Sequence, residues 1–552
     1  MTDNESSNQA ATRSDHDNPT QQKASDQELS EGMRAKAVRH SEYRRRIIGL
    51  IGGVLGAVLI FWLMSTELDV WPRLTAATAV LMAVWWMTEA IPIPATALLP
   101  LIIFPLAVPA EESDGGVTVS AVGANYGNDV IFLFMGGFLL ALGMQRWNLH
   151  RRIALMVLQW MGSNTKALIA GFMIATGFLS LWVSNTATAV MMLPIGISVL
   201  LLVKRMADGE DTQQVIDNGA ETEATSEETQ TVAKTNFGTG LMLAIAYAAS
   251  IGSLGTIIGT PPNALLAAHM AANHDLELGF GRWMLVGVPL SIVLMFGAWF
   301  ILTKVMFKPE MDNIPGGAEL IRNEFKNLGP MSRGELTVLI VFIVAAVSWV
   351  FVPLISEYIL GLEEPLISDA GIAMVVGLAM FLLPGGAAEG VRLLNWDTAL
   401  NLPWGVLLLF GGGLALSSQF SDSGLSEWLG VQVEGLAGAP VWILVALCAV
   451  GILILTEMTS NTATAATFLP VASGIALGTG VEPLMLTAPV ALAATCAFML
   501  PVATPPNAIA FGSGYVTIGQ MVKGGALINV LAAILITITA MTLLVWVFGI
   551  AY

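Results

Sequence analysis

Apolar residues fall in long runs separated by short polar stretches, at about 47-65, 72-91, 94-109, 128-146, 240-272, 283-306, 336-355, 370-384, 403-420, 486-515 and 524-550. A helix needs about 20 apolar residues to cross a bilayer, and its backbone polar groups find no water there, so these runs predict eleven transmembrane α-helices. Two further apolar stretches, 166-203 and 440-478, carry a polar pentapeptide at their midpoints: Ser184-Asn185-Thr186-Ala187-Thr188 and Ser460-Asn461-Thr462-Ala463-Thr464. They are long enough to enter the membrane and return, and read as re-entrant helical hairpins with the motif at the tip. The runs 240-272 and 486-515 are interrupted by Thr260-Pro261-Pro262-Asn263-Ala264 and Thr504-Pro505-Pro506-Asn507-Ala508. Proline removes a backbone donor and disfavours helical geometry before it, so both helices are expected to break there.

The pattern occurs twice. Gly136-Gly137 recurs as Gly412-Gly413 at the same offset as the two Ser-Asn-Thr motifs. The Thr-Pro-Pro-Asn pair recurs at a shorter offset, and the difference matches a polar insert near Lys204 to Asn236 that only the first copy contains. After one unpaired helix, each copy reads as three helices, an amphipathic connector near 148-162 or 423-436, a hairpin, a broken helix and a final helix. An odd number of crossings per copy inverts the second copy. Inverted repeats with interrupted helices around a midplane site are the plan of secondary transporters.

The expected organisation is a disordered cytoplasmic tail (1-46), scaffold helices and connector (47-162), an inner hairpin (163-203) and an acidic insert (204-236). A broken helix with the helix after it (237-306) and a cytoplasmic linker (307-335) complete the first half. The second holds scaffold helices and connector (336-436), an outer hairpin (437-480), and a broken helix with the final helix (481-552).

Composition fits this picture: 55% hydrophobic and 12% charged residues, with mean hydropathy +0.72, describe a polytopic membrane protein. Part of the net charge of −17 sits in the insert, where Asp208, Glu210, Asp211, Asp217, Glu221, Glu223, Glu227 and Glu228 stand against Lys204, Arg205 and Lys234. Such a composition cannot bury a core. Of the 24 basic residues, only Arg73 and Arg282 fall on the outer side when the amino terminus is placed inside. That asymmetry orients the chain in a plasma (inner) membrane, with a cytoplasmic amino terminus and a periplasmic or extracellular carboxyl terminus. Cys448 and Cys496 lie in apolar runs and read as buried thiols.

The tips and breaks direct helix ends at the bilayer interior, where free N–H groups attract anions and free carbonyls attract cations. Neither the hairpin cores nor the break motifs contain Lys, Arg or His. An anion there must rely on amides, hydroxyls, helix ends and co-bound cations. Neutral oxygens without a carboxylate favour a monovalent cation, and sodium is the natural candidate.

These motifs, in this order and with Thr88-Glu89-Ala90-Ile91-Pro92, resemble the divalent anion:sodium symporter family of sodium-coupled dicarboxylate, citrate and sulfate carriers, from about residue 47 to the end. The resemblance implies a first sodium site at Ser180, Ser184, Asn185 and Gly259 and a second at Thr456, Asn461 and Ala503. It places substrate carboxylates on Asn185, Thr186, Thr260 and Pro261 and on Asn461, Thr462, Thr504 and Pro505. Thr260 stands where several members of the family carry Ser, which bears on substrate size. The implied protein is a homodimer in the lipid bilayer, importing a C4 dicarboxylate with sodium by an elevator movement, with no nucleic-acid partner.

Sulfate or citrate transport and anion exchange fit the same pocket. An intramembrane enzyme would need a nucleophile with a base or a metal cluster, and His16, His40, His150, His269 and His274 form no ligand-like motif. Ser163-Asn164-Thr165 repeats the motif letters but opens the hairpin, and reads as a helix cap. Glu457 beside the second motif reads either as a carrier of charge or protons or as a structural hydrogen-bond partner. Glu89 and Trp85-Trp86 read as scaffold and packing contacts, and Gly411-Gly412-Gly413 as close helix packing.

Overall fold

The computed structural model describes residues 40–64, 68–109, 111, 116–207, 235–314, 316–362, 365–433, 435 and 438–550. Nearly all of the tail (1-46) and the acidic insert (204-236) lie outside the described residues. Among the described residues the chain is helical and forms no strand beyond isolated bridges.

The unpaired helix is α1 (His40–Leu63). The first copy then contains α2 (Val70–Thr88), α3 (Ile93–Thr96), α4 (Pro100–Ala107), α5 (Val119–Ala124), α6 (Asp129–Arg146) and the connector α7 (Leu149–Trp160). Its hairpin is α8 (Thr165–Ser180) with α9 (Asn185–Ala207), its broken helix α10 (Asn236–Ser253) with α11 (Pro261–His274), and its final helix α12 (Phe280–Phe300). A linker helix α13 (Gly317–Asn327) leads to the second copy: α14 (Arg333–Tyr358), α15 (Asp369–Leu382), α16 (Trp396–Ala399), α17 (Trp404–Asp422) and the connector α18 (Leu425–Gln432). The second hairpin is α19 (Val441–Thr456) with α20 (Asn461–Thr479), the second broken helix α21 (Pro483–Thr495) with α22 (Pro505–Gly512), and the final helix α23 (Ile518–Thr539). Among the described residues, eight helices are long and apolar enough to cross a membrane, and the shorter apolar ones include both hairpin entry helices.

The repeat is kept at atomic detail. A Cβ at Gly136 of α6 would lie 2.3 Å from the Ala373 carbonyl oxygen of α15, and one at Gly412 of α17 would lie 2.3 Å from that of Ala97 beside α3. Each contact is the other with its copies exchanged, so the close packing expected at Gly412 is one of two symmetry-related crossings. The connectors obey the same rule: α7 begins after Asn148 and α18 after Gly424, both in left-handed conformation.

One expectation needs correction, and one linker holds an unforeseen helix. The run 94-109 does not form one helix but splits into α3 and α4, because Pro94, Pro100 and Pro105 deny it continuous backbone bonding. The linker 307-335 contains α13, which buries Leu320 and Ile321 and was hidden by its four charged side chains and short apolar pattern. Arg151 reaches Glu324 of α13 at 2.8 Å, and the buried Arg152 pairs with Glu335 of α14 at 2.8 Å while donating to the Gly329 carbonyl. The first connector is thereby tied to the start of the second copy.

Packing is not symmetric between the hairpins. Helix α20 of the second hairpin packs against α2 and α17, and α11 packs against α17 and α6. The first hairpin's α9 makes no comparable packing on α6, α14 or α15; at its tip Trp182 stacks on Trp349 of α14.

The paired glycines generate a test. Gly136→Ala and Gly412→Ala should each destabilise the purified protein by about 1–3 kcal/mol through overpacking, lowering its thermal midpoint. Gly451→Ala in α19, where a Cβ meets nothing within 4 Å, should leave the midpoint unchanged or raise it slightly.

Candidate ion and anion site

Both hairpin tips are closed by the same pair of side chains. Ser180 ends α8 and Asn185 opens α9; Ser180 Oγ lies 3.1 Å from Asn185 Oδ1 and 2.6 Å from the Ala249 carbonyl oxygen of α10. Thr456 ends α19 and Asn461 opens α20; Thr456 Oγ1 lies 2.9 Å from Asn461 Oδ1 and 2.8 Å from the Ala494 carbonyl oxygen of α21. Ser180 and Thr456 are fully buried. A single hydroxyl hydrogen serves one acceptor at a time, so each cluster holds more acceptor oxygens than hydrogens to fill them. That surplus of neutral oxygens suits a small hard cation.

The other tip residues follow the same layout with small differences. Ser184 Oγ accepts from the Ala187 N–H at 3.3 Å, whereas Ser460 makes no side-chain cap and its carbonyl takes the Thr464 hydroxyl at 3.0 Å. Thr186 is exposed, while Asn185, Asn461 and Thr462 are half-buried.

Each break is stapled by its own asparagine. Asn263 Nδ2 donates to the carbonyls of Leu254 at 3.1 Å and Thr256 at 2.9 Å, and Asn507 Nδ2 to those of Ala497 at 3.0 Å and Leu500 at 3.1 Å. These bonds satisfy carbonyls left free where the helix stops. Thr260 and Thr504 are buried N-caps, with Pro261 and Pro505 as the first helical residues of α11 and α22. Thr504 Oγ1 accepts from the Asn507 N–H at 3.3 Å, but Thr260 Oγ1 faces Thr495 Oγ1 at 3.3 Å and so joins the first break to the end of α21. Only glycine fits at 259, since a Cβ there would lie 2.3 Å from the Ser253 carbonyl oxygen. Ala503 is buried in the second break.

Tips and breaks form one cluster. Thr256 Oγ1 donates to the Leu181 carbonyl at 2.5 Å, linking the first tip to the first break. At the second tip the equivalent of Leu181 is Glu457, which accepts from the N–H groups of Phe498 at 2.8 Å, Met499 at 3.0 Å and Leu500 at 3.0 Å and from Asn529 Nδ2 at 2.6 Å. Every partner is a donor, which matches the structural alternative for this residue. Helices α9, α11, α20 and α22 all begin here, α9 packed on α22 and α11 on α20. Their N-termini bring partial positive charge to this cluster, and residues 180–190, 254–263, 456–464 and 496–507 contain no Lys, Arg or His.

Several sequence readings can now be placed. Asn164 caps α8, accepting from Lys166 and Ala167 N–H groups at 3.1 Å, so the decoy motif is a cap built on Asn164. Glu89 pairs with Arg45 at 2.6 Å, Trp86 is buried, and both cysteines are free. Sequence reasoning missed Ala249, Ala494, Thr495 and Asn529. An alanine contributing only its carbonyl carries no signal in a single sequence, and Thr495 and Asn529 are single polar residues in apolar helices.

The family model for the sodium:sulfate symporter transmembrane region matches residues 47–550. The chain is 41% identical over 507 residues to a protein of Staphylococcus saprophyticus named sodium-dependent dicarboxylate transporter SdcS, covering 92% of each chain. The protein of that name in Staphylococcus aureus is 41% identical over 510 residues, again with 92% of each covered. Among solved structures, the Alcanivorax borkumensis YdaH transporter shares the fold at TM-score 0.52 and 14% identity, over 86% of this chain and 98% of that one.

The Glu457 cage sets an expected outcome. Glu457→Gln replaces one acceptor oxygen by an NH2 group facing backbone donors, and loss of buried hydrogen bonds to a charged group costs roughly 1.5–3 kcal/mol each. Thermal unfolding in detergent should show a clear fall in midpoint, larger than that of Asn529→Ala, which removes one donor. An unchanged midpoint for Glu457→Gln would contradict a structural role.

Proposed function

Because the chain belongs to the sodium:sulfate symporter family, we propose that it is a sodium-coupled secondary carrier that imports C4 dicarboxylates such as succinate, malate or fumarate. The observation that carries this reading is the pair of matching oxygen clusters, Ser180–Asn185–Ala249 and Thr456–Asn461–Ala494, at the head of four helices. The substrate class is supported by the two staphylococcal relatives named for dicarboxylates. Sulfate, which the family description names, is the competing substrate.

In this reading Ser180, Ser184, Asn185 and Gly259 bind one sodium ion and Thr456, Asn461 and Ala503 the other, with the carbonyls of Ala249 and Ala494 close by. The dianion meets Asn185, Thr186, Thr260 and Pro261 from the first copy and Asn461, Thr462, Thr504 and Pro505 from the second. With no basic side chain in the pocket, sodium supplies the compensating charge, so the anion binds well only to the sodium-loaded carrier, and the coupling is reciprocal.

The moving body comprises the hairpins, broken helices, α12 and α23; the remaining crossings of an eleven-helix chain form the scaffold. Two such chains make a homodimer, and the body travels as an elevator. With the amino terminus inside, the second hairpin enters from outside. Its packing on α2 and α17, against the freer first hairpin with exposed Thr186, makes this the cytoplasm-open state.

Counterflow of radiolabelled succinate in proteoliposomes should depend steeply on sodium and be indifferent to a proton gradient. Full uptake without sodium would overturn the coupling, and saturable sulfate uptake with no succinate competition would overturn the substrate class. Thr186→Ala and Thr462→Ala should each weaken substrate binding by about tenfold to a hundredfold, the effect of one hydrogen bond to a charged ligand. Asn185→Ala and Asn461→Ala should weaken sodium and substrate binding together. Calorimetric titration at several sodium concentrations separates these outcomes, with Ser163→Ala as the neutral comparison.

A further inference from the structure

Four hydrogen bonds among the described residues cross between the proposed moving body and scaffold at one end of the molecule, away from the connectors and the linker. His269 Nδ1 on α11 lies 2.6 Å from Ser417 Oγ on α17. One turn further, Asn273 Nδ2 donates to Ser417 Oγ at 3.2 Å, and Ser421 Oγ donates to Asn273 Oδ1 at 3.0 Å. Beside them the Phe280 N–H, at the head of α12, donates to Asp369 Oδ2, at the head of α15, at 2.7 Å. His269 and Ser417 are buried, at 2% and 3% exposure, so water does not compete for their bond.

The inverted repeat says what the opposite end state can offer in exchange. In such a fold, swapping the conformations of the two copies converts one end state into the other. The copy-equivalents of Ser417 and Asp369 are Ala141 and Ile93, and that of His269 is Ser513. Ala141 and Ile93 have no side-chain hydrogen-bonding group. The bonds to Ser417 and Asp369 therefore have no counterpart after the swap, whereas the Asn273–Ser421 bond maps onto Thr517 and Gln145, which can also pair.

On the elevator reading above, we propose that His269, Asn273 and Ser417 form a one-sided polar latch that holds the carrier in the state seen here and must open before the body can cross. These are positioning residues for translocation and lie outside the ion and anion site. His274 provides an internal contrast. Its Nε2 lies 2.6 Å from Ser473 Oγ on α20, so that bond joins two parts of the moving body and survives the movement.

The test uses the full chain in membranes with Cys448 and Cys496 replaced, carrying Ala141→Cys with Ser513→Cys, a pair that meets only in the swapped state. Mercury-mediated cross-linking then reads how often the carrier visits that state. Adding Ser417→Ala should raise the cross-linking rate roughly threefold to tenfold, the effect of losing one or two neutral hydrogen bonds. Ser417→Thr, which keeps the hydroxyl, should restore the slow rate, and His274→Gln should leave it slow. Substrate affinity measured by calorimetry should be the same within twofold in all of them. A Ser417→Ala rate equal to the parent's overturns the latch while leaving the elevator standing. Absence of the cross-link in every variant overturns the elevator reading and the latch with it.

Discussion

A backbone that stops being helical inside a bilayer must find every lost hydrogen bond within the protein. Four interruptions meet in this chain, two hairpin tips and two proline breaks, and each is resolved by a side chain from its own copy or a neighbouring helix. Asn263 and Asn507 take carbonyls of the breaks, Thr256 takes the carbonyl of Leu181, and Glu457 takes three N–H groups at once. Tips and breaks cannot be separated without exposing these groups, which makes them one body. The proposed binding chemistry follows from the same constraint: the oxygens and N–H groups left after mutual satisfaction are those open to ions.

Duplication explains why the site is two-sided, and the departures from duplication explain why its halves differ. Ser184 is a cap and Ser460 is not; Thr504 caps its own helix while Thr260 bonds across to Thr495. The first tip is tied to its break by one neutral hydroxyl, the second by a carboxylate cage. The duplicated chain thus holds one more firmly bonded tip and one looser one.

Much of this was legible in the sequence. Long apolar runs, two copies of Ser-Asn-Thr and two of Thr-Pro-Pro-Asn announce helices, tips and breaks, because each rests on a strong local rule about burial or proline. The division of 94-109 was also foreseeable from Pro94, Pro100 and Pro105, had proline been weighed above hydropathy. What could not be read was contact between distant backbone atoms. The Ala249 and Ala494 carbonyls, the Gly136 and Gly412 crossings with Ala373 and Ala97, and the caging of Glu457 depend on the way the copies interlock, which no run of residues states. The helix Gly317–Asn327 escaped because its apolar face is short and only its contact with the first connector gives that face a purpose.

The caged carboxylate of Glu457 has an electrical consequence. It belongs to the proposed moving body and its partners there are uncharged donors, so in the elevator reading an ionised Glu457 would carry its charge along with the body. A charge carried through the whole membrane field changes energy by about 2.3 kcal/mol per 100 mV. With the cell interior negative, the voltage would push that charge, and the emptied body with it, outward against the proposed latch at His269 and Ser417. In that reading, part of the work of resetting the carrier would be drawn from the resting potential, through a residue outside the proposed ion and anion ligands.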